Sequence, residues 1–368
     1  MTTREGILAS LRFQDVRSVV WAPRWDLWFT AASDGRLPSR YQGWHIHDVA
    51  RDLGMGIKGY GVRPFVEEGL PISGSSRAGI GETVQEYETP FGVLRRVEKQ
   101  TAELASAGVR GRVVKEFIVE RQDYDPAIWL VENTRIVPRH EEVAAEMARI
   151  GEDGVLLAFL GHAPAHLVMR EFTGYEGFYY QMQDNPDKLE QLIEALGERQ
   201  REVERVGAES PAEVVEFDGN YDAFLTPPPI YRQFFLPWHQ RLVEACHRAG
   251  KMVATHTDGH NDGLVELILE SGFDVAEAFT PPPMTNIGIG KARRVWGERM
   301  AIWGGLAATA FTLRYSDEEF AAHVTNALTE AGSGRGFVLG TGDNIPTDAP
   351  FHRVRWVAEL VRDWNESH

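Results

Sequence analysis

Lys251–Gly259, KMVATHTDG, carries the clearest signal of the fold. Its apolar, β-branched start is too short for a helix and reads as a buried strand; polar residues His256, Thr257 and Asp258 follow directly. Working outward, an amphipathic segment (Leu236–Gly250) precedes it and another (Asn261–Gly272) follows. The same alternation runs from Val155 to the end. VLLAFLG, EVVEFDG, FDVAEAF, AIWGGL and GFVLGTGDN read as strands, separated by helices near Pro186–Val206, Ile287–Arg299 and Ser316–Gly332 and closed by one near Phe351–Asn365. Near-continuously apolar strands between helices indicate a parallel sheet covered by those helices. Polar residues stand just past almost every strand: Asp218 and Asn220, His256 and Asp258, Glu277, Thr341 and Asp343. Chemistry spread over many strand ends is barrel behaviour, whereas a dinucleotide fold concentrates it in one Gly-rich turn. NIGIGKAR follows the proline-rich TPPPMT rather than a strand and is no such turn. The expected fold is α/β: a distorted (β/α)8 TIM-type barrel with an elaborated N-terminal region.

The remainder of the chain fits one such domain over residues 1–368, with 1–150 as an N-terminal strand and excursion and 151–368 as regular β/α units. The first strand is expected near Ser18–Ala22, and a β-ribbon near Thr83–Glu98. No repeat or polar linker divides the sequence. A net charge of −16 argues against a nucleic-acid backbone or an anionic membrane surface as partner, leaving small-molecule chemistry. The single cysteine, Cys246, allows no internal disulfide or Cys-rich metal site and reads as a small buried filler. No apolar run reaches about 18 residues and no signal core opens the chain, so a cytoplasmic location is expected.

Four constellations carry chemistry. Strand alternation puts His256 and Asp258 on one side, a pair able to hold a metal or to move a proton, with Asp258 fixing the imidazole tautomer. The alternative is a loop hydrogen bond and a helix cap. Gly340–Asp343 brings backbone close to a ligand and sets Asp343 at the rim, or folds Asp343 and Asn344 into an Asx-type turn. Glu216–Asn220 ends a strand in acidic and amide groups before Pro227–Pro229 open a helix. In Arg24–Phe29, Arg24 is placed to clamp a carboxylate, and Trp25 and Trp28 either floor a flat pocket or fill core.

The segments Asp218–Pro237, Ala254–Gly259, Phe279–Pro283, Ile302–Gly305 and Gly336–Pro350 resemble, in order, the strand-end blocks of the uroporphyrinogen decarboxylase superfamily, over roughly residues 150–365. The superfamily implies a distorted barrel with its site at the C-terminal mouth. Decarboxylases of the family carry an N-terminal Met-Arg-Gln-Ala-Gly-Arg signature; here APRWDLW stands there, and only Arg24 corresponds. The start (TTREGILASLRF, WAPRWDLWF, VVKEFIVERQDY) is similar instead to corrinoid-linked methyltransferases and O-demethylase components. Their His-x-Cys and distant Cys zinc ligands fall on His256, Asp258 and, nearby, Asp343. The resemblance thus implies zinc or another divalent metal on those three residues, or an acid/base role for them. Asp218, Asn220 and Glu277 would orient substrate, and Arg24 and Asp26 would close the pocket. The expected activity is demethylation of a small methoxylated or methylated compound, with the methyl group passing to a corrinoid on a partner protein. A homodimer is expected from the family. Decarboxylation of a carboxylated ring compound and a non-catalytic ligand-binding barrel are the alternatives. A corrinoid acceptor further requires an open mouth whose rim offers apolar surface such as Trp21, Trp25, Trp28 or Phe279.

Overall fold

A computed structural model describes residues 1–69, 81–101 and 111–368. They form two compact units: Met1–Pro64 with His140–Gly161 and Gly207–His368, and Phe65–Arg139 with His162–Val206.

The first unit is built on seven parallel strands, β1 (Ile57–Gly59), β7 (Gly154–Phe159), β8 (Val214–Gly219), β9 (Met252–His256), β10 (Val275–Phe279), β11 (Ala301–Leu306) and β12 (Phe337–Thr341), adjacent in that order. Val20–Ala22 closes the ring. Leu339 N donates to Val20 O at 2.9 Å, Ala22 N donates to Leu339 O at 2.9 Å, and on the other side Gly56 N donates to Trp21 O at 2.8 Å. The expected first strand is thus an eighth stave made of isolated bridges. β1, between Gly56 and Gly61, was not expected at all.

The inner face of this barrel is layered by the two-residue period of its strands. Val155, Leu157, Val214, Met252, Ala254, Val275, Ala301, Trp303 and Val338 form one buried cluster, closed by Ile7 and Leu11 of the helix Thr3–Leu11. That helix begins with a capping box between Thr2 and Glu5. Two residues past Val214, Ala254 and Val275 come Glu216, His256 and Glu277. The apolar layer therefore carries an ionisable layer on its C-terminal side. Outside the strands, helices such as Leu236–Arg248, Asp317–Ala331 and Phe351–Ser367 bury one stripe each.

The second unit contains the expected ribbon: β3 (Glu82–Thr89) pairs antiparallel with β4 (Gly92–Lys99), which also pairs with β5 (Arg112–Lys115). β2 (Phe65–Glu68) pairs antiparallel with β6 (Arg135–Pro138). The helices Tyr124–Glu132, Gly174–Asp184 and most of Pro186–Glu209 belong here too. Among the described residues, no helix is long and apolar enough to cross a membrane.

Candidate active site

His256 ends β9, in register with Glu277 of β10, so the two side chains emerge side by side. Glu277 Oε2 lies 2.5 Å from His256 Nδ1. Its other oxygen contacts the Lys58 ammonium of β1 in an ion pair whose side chains are 0% and 2% exposed. Burial pulls Lys58 down from the usual lysine range to about 7, while Glu216 pulls it upward. The outer nitrogen of the imidazole, Nε2, faces Asp258 Oδ2 at 3.4 Å. Asn220 Nδ2 donates to both Asp258 oxygens, at 3.1 and 3.2 Å. Burial raises the Asp258 carboxyl, but His256 and Asn220 outweigh it and leave it below the ordinary range. Lys58, Glu277, His256 and Asp258 thus form one line of polar contacts from the interior toward the mouth.

A second group joins the first and last staves. Arg24 Nη1 donates to Asp343 Oδ1 at 2.6 Å, Arg24 Nε reaches Asp26 Oδ1 at 3.4 Å, and the guanidinium lies 3.8 Å above the Tyr60 ring. Burial works against its charge, but Tyr60, Asp343 and Asp26 hold it positive. Asn344 Nδ2 donates to Asp26 Oδ1 at 3.2 Å.

Backbone strain gathers at the same strand ends. Asp218, Asn220, Ala278 and Asp343 all have φ between 51° and 63°, a conformation that costs a non-glycine residue energy and persists where surroundings enforce it. At Asp218 it interrupts the inward alternation, and the carboxylate instead lies 2.8 Å from His239 Nε2 on the helix Leu236–Arg248. Between Asp218 and Asn220, Gly219 has φ 141°, and a Cβ there would stand 2.3 Å from His256 Cβ, so only glycine lets β8 approach the histidine.

The structure brings His256, Asp258, Asn220 and Glu277 together, and Arg24 with Asp26 and Asp343. It does not bring Asp343 to His256 and Asp258 as a ligand set. Among the described residues of this unit, the donors lying within 4.8 Å of one another are those of Glu216, His256 and Glu277. Those atom types suit a divalent metal. However, Glu277 already carries Lys58 on one oxygen and His256 on the other, so an ion there would have to break the contact with His256 and sit beside a buried ammonium. With Lys58 in place, the residues present do not fit the metal that the resemblance implies.

Lys58, Tyr60 and His239 escaped the sequence reading. A fully apolar strand with a single inward acid was the available signal for Glu216, which is completely buried yet has no hydrogen-bond partner on either oxygen. Burial pushes its carboxyl upward, against the pull of His256, Lys58 and Arg24. A carboxyl whose folded pKa is raised binds more protons folded than unfolded, so it lowers stability as pH rises above the ordinary glutamate value. Glu216→Gln is therefore expected to raise the thermal midpoint by a few degrees at pH 7 and to lose that advantage at acid pH, where both states are protonated. Calorimetry across that range checks it; a lower midpoint at pH 7 contradicts it.

The apolar rim expected from Trp21, Trp25, Trp28 and Phe279 is corrected: they are 2%, 6%, 1% and 2% exposed. Trp25 stacks on Trp28, whose indole donates to Ala349 O at 2.7 Å, and Phe279 meets Trp296 edge-on, so all serve packing. Exposed apolar residues past the strand ends instead include Leu27, Phe224 and Leu313, at 53%, 81% and 75%.

Comparison with known proteins follows the same lines. The family described as uroporphyrinogen decarboxylase (URO-D) matches residues 112–364. A uroporphyrinogen decarboxylase of Thioalkalivibrio sulfidiphilus is 27% identical over 179 residues, and the match spans 48% of each protein, about half the relative's length. A solved methyltransferase from Methanosarcina mazei has the same fold, with a TM-score of 0.61 at 15% identity over 99% of both chains.

Proposed function

Because the chain belongs to the uroporphyrinogen decarboxylase family, an enzyme family, we propose that it removes a methyl group from a small methylated compound and passes it to the cobalt of a corrinoid carried by a partner protein. The observation that carries this reading is the commitment of Arg24 to Asp343, at 2.6 Å, inside a site otherwise rich in acids. A decarboxylase of ring carboxylates needs free cations to hold them. Here a carboxylated substrate would meet an arginine already neutralised and be repelled by Asp26, Asp258 and Glu216.

His256 is the group assigned to the reaction. Glu277 accepts the Nδ1 hydrogen and fixes the ring; Nε2 faces the mouth beside Asp258 and holds the proton that the departing group takes up. Lys58 holds Glu277 in place. Asn220 orients Asp258, and Arg24 with Asp26 and Asp343 ties the first stave to the last. Leu27, on the short helix Asp26–Ala32, and Phe224 and Leu313, on loops, are exposed past the strand ends and suit docking of the corrinoid protein.

The test is anaerobic incubation with cob(I)alamin and a panel of methylated ethers, amines and thioethers, followed by visible spectroscopy. Loss of the cobalt(I) spectrum with growth of methylcob(III)alamin supports the reading. Turnover of a carboxylated ring compound with release of carbon dioxide, and no methyl transfer, refutes it.

A further inference from the structure

The ionisable layer is unbalanced. Asp26, Glu216, Asp258, Glu277 and Asp343 stand beside Arg24 and Lys58, so these seven groups together carry an excess of three negative charges. Three of these acids are paired with a cation, Glu277 with Lys58 and both Asp343 and Asp26 with Arg24, and Asp258 is held by Asn220 and His256. Glu216 is left over. Its side chain is 1% exposed, its Oε1 lies 3.9 Å from His256 Nδ1, and neither oxygen has a hydrogen-bond donor. A buried carboxylate without a hydrogen-bond donor is costly, because it has given up water and the pull of His256, Lys58 and Arg24 does not make up for burial, and it marks a place for a positive charge. The aromatic walls have the same preference: Arg24 covers Tyr60, and Lys58 lies 5.4 Å from the Tyr60 ring centre and 5.8 Å from that of Trp303.

Resting on the methyl-transfer reading above, we infer that the methyl donor is an organic onium cation, a quaternary ammonium or sulfonium compound, whose charge is met by Glu216 and Asp258. The chemistry agrees with a site whose donors do not fit a divalent metal. An ether needs its leaving oxygen activated, whereas an onium methyl leaves behind a neutral amine or thioether. The cobalt(I) electron pair forms the cobalt–carbon bond, the carbon–nitrogen or carbon–sulfur bond breaks, and its electrons stay on nitrogen or sulfur. A neutral amine then takes the proton of His256 Nε2, which blocks return of the methyl group.

Calorimetric titration of the full-length protein without corrinoid tests the binding class, using choline, its uncharged isostere 3,3-dimethyl-1-butanol, 4-methoxybenzoate and zinc ion as separate probes. Choline is expected to bind at least about tenfold more tightly than the isostere, and 4-methoxybenzoate to be excluded. Glu216→Gln should weaken choline by about tenfold or more, the loss of one charge-assisted contact, while leaving the isostere unchanged. Asp258→Asn should weaken choline in the same direction, which keeps the test valid if one variant misfolds. Tighter binding of 4-methoxybenzoate, or stoichiometric zinc lost in Glu216→Gln together with no preference for choline, overturns the inference. A second arm adds cob(I)alamin. Methyl transfer from 4-methoxybenzoate but from no onium compound leaves the methyltransferase reading standing and removes the onium donor. Glu216-dependent binding of onium compounds with no methyl reaching cobalt removes the methyltransferase reading, and the donor role with it, and leaves a cation pocket.

Discussion

Replacing Glu277 with glutamine is expected to destabilise the protein by about 3–5 kcal/mol, the effect of removing one partner of a buried ion pair. Glu277 is completely buried between Lys58 and His256, so its loss strands the Lys58 ammonium in a medium that already pulls it down to about 7. Lys58 then has to shed its proton or draw in water. A double substitution, Lys58→Met with Glu277→Gln, removes both charges and should recover most of the loss, because the penalty belongs to the unpaired ion rather than to the missing contact. Urea denaturation of the two single variants and the double variant measures that coupling. Additive single effects, or a Glu277→Gln cost under about 1 kcal/mol, would show that Lys58 and Glu277 are not a functional pair.

His256→Asn is expected to lower methyl transfer by about two to four orders of magnitude, the usual reach of a positioned acid or base, with little change in stability. The asparagine amide stands close to where Nδ1 was and can still donate to Glu277, so the interior pair survives. What disappears is Nε2, the atom facing Asp258 and the mouth. Asp343→Asn should have a much smaller effect. Its side chain is 46% exposed and its partner is Arg24, and a half-exposed ion pair contributes about 0–1 kcal/mol. Steady-state rates of the two variants side by side separate a reacting group from a structural clasp; equal losses would contradict that division of roles.

How much of this was legible in the sequence follows from physical range. β7 to β12 announce themselves because parallel barrel strands are buried on both sides and read as apolar runs. The same runs expose their exceptions, which is why His256 and Glu277 could be picked out. β1 stayed hidden because it is three residues long, lies among glycines and carries Lys58 at its centre. With it went the counter-charge that decides what Glu277 does. Asp343 was expected beside His256 and Asp258, whereas its partner is Arg24, 319 positions away, and barrel closure brings those two together. Asp218 was expected to face substrate, yet its left-handed backbone carries the carboxylate to His239, a turn that alternation cannot foresee. The tryptophans of Arg24–Phe29 have the composition of a ligand platform and also of a core, and packing against Phe351 decides for the core.

The central claim is that a methyl group crosses this site to cobalt with His256 beside it. The most direct measurement is a single-turnover incubation of protein, cob(I)alamin and a donor carrying a deuterated methyl group, followed by mass spectrometry of the corrinoid. The intact labelled methyl is expected on cobalt with the wild-type protein and almost none with His256→Asn. Consumption of the donor with no label on cobalt, or equal labelling by the two proteins, would contradict it.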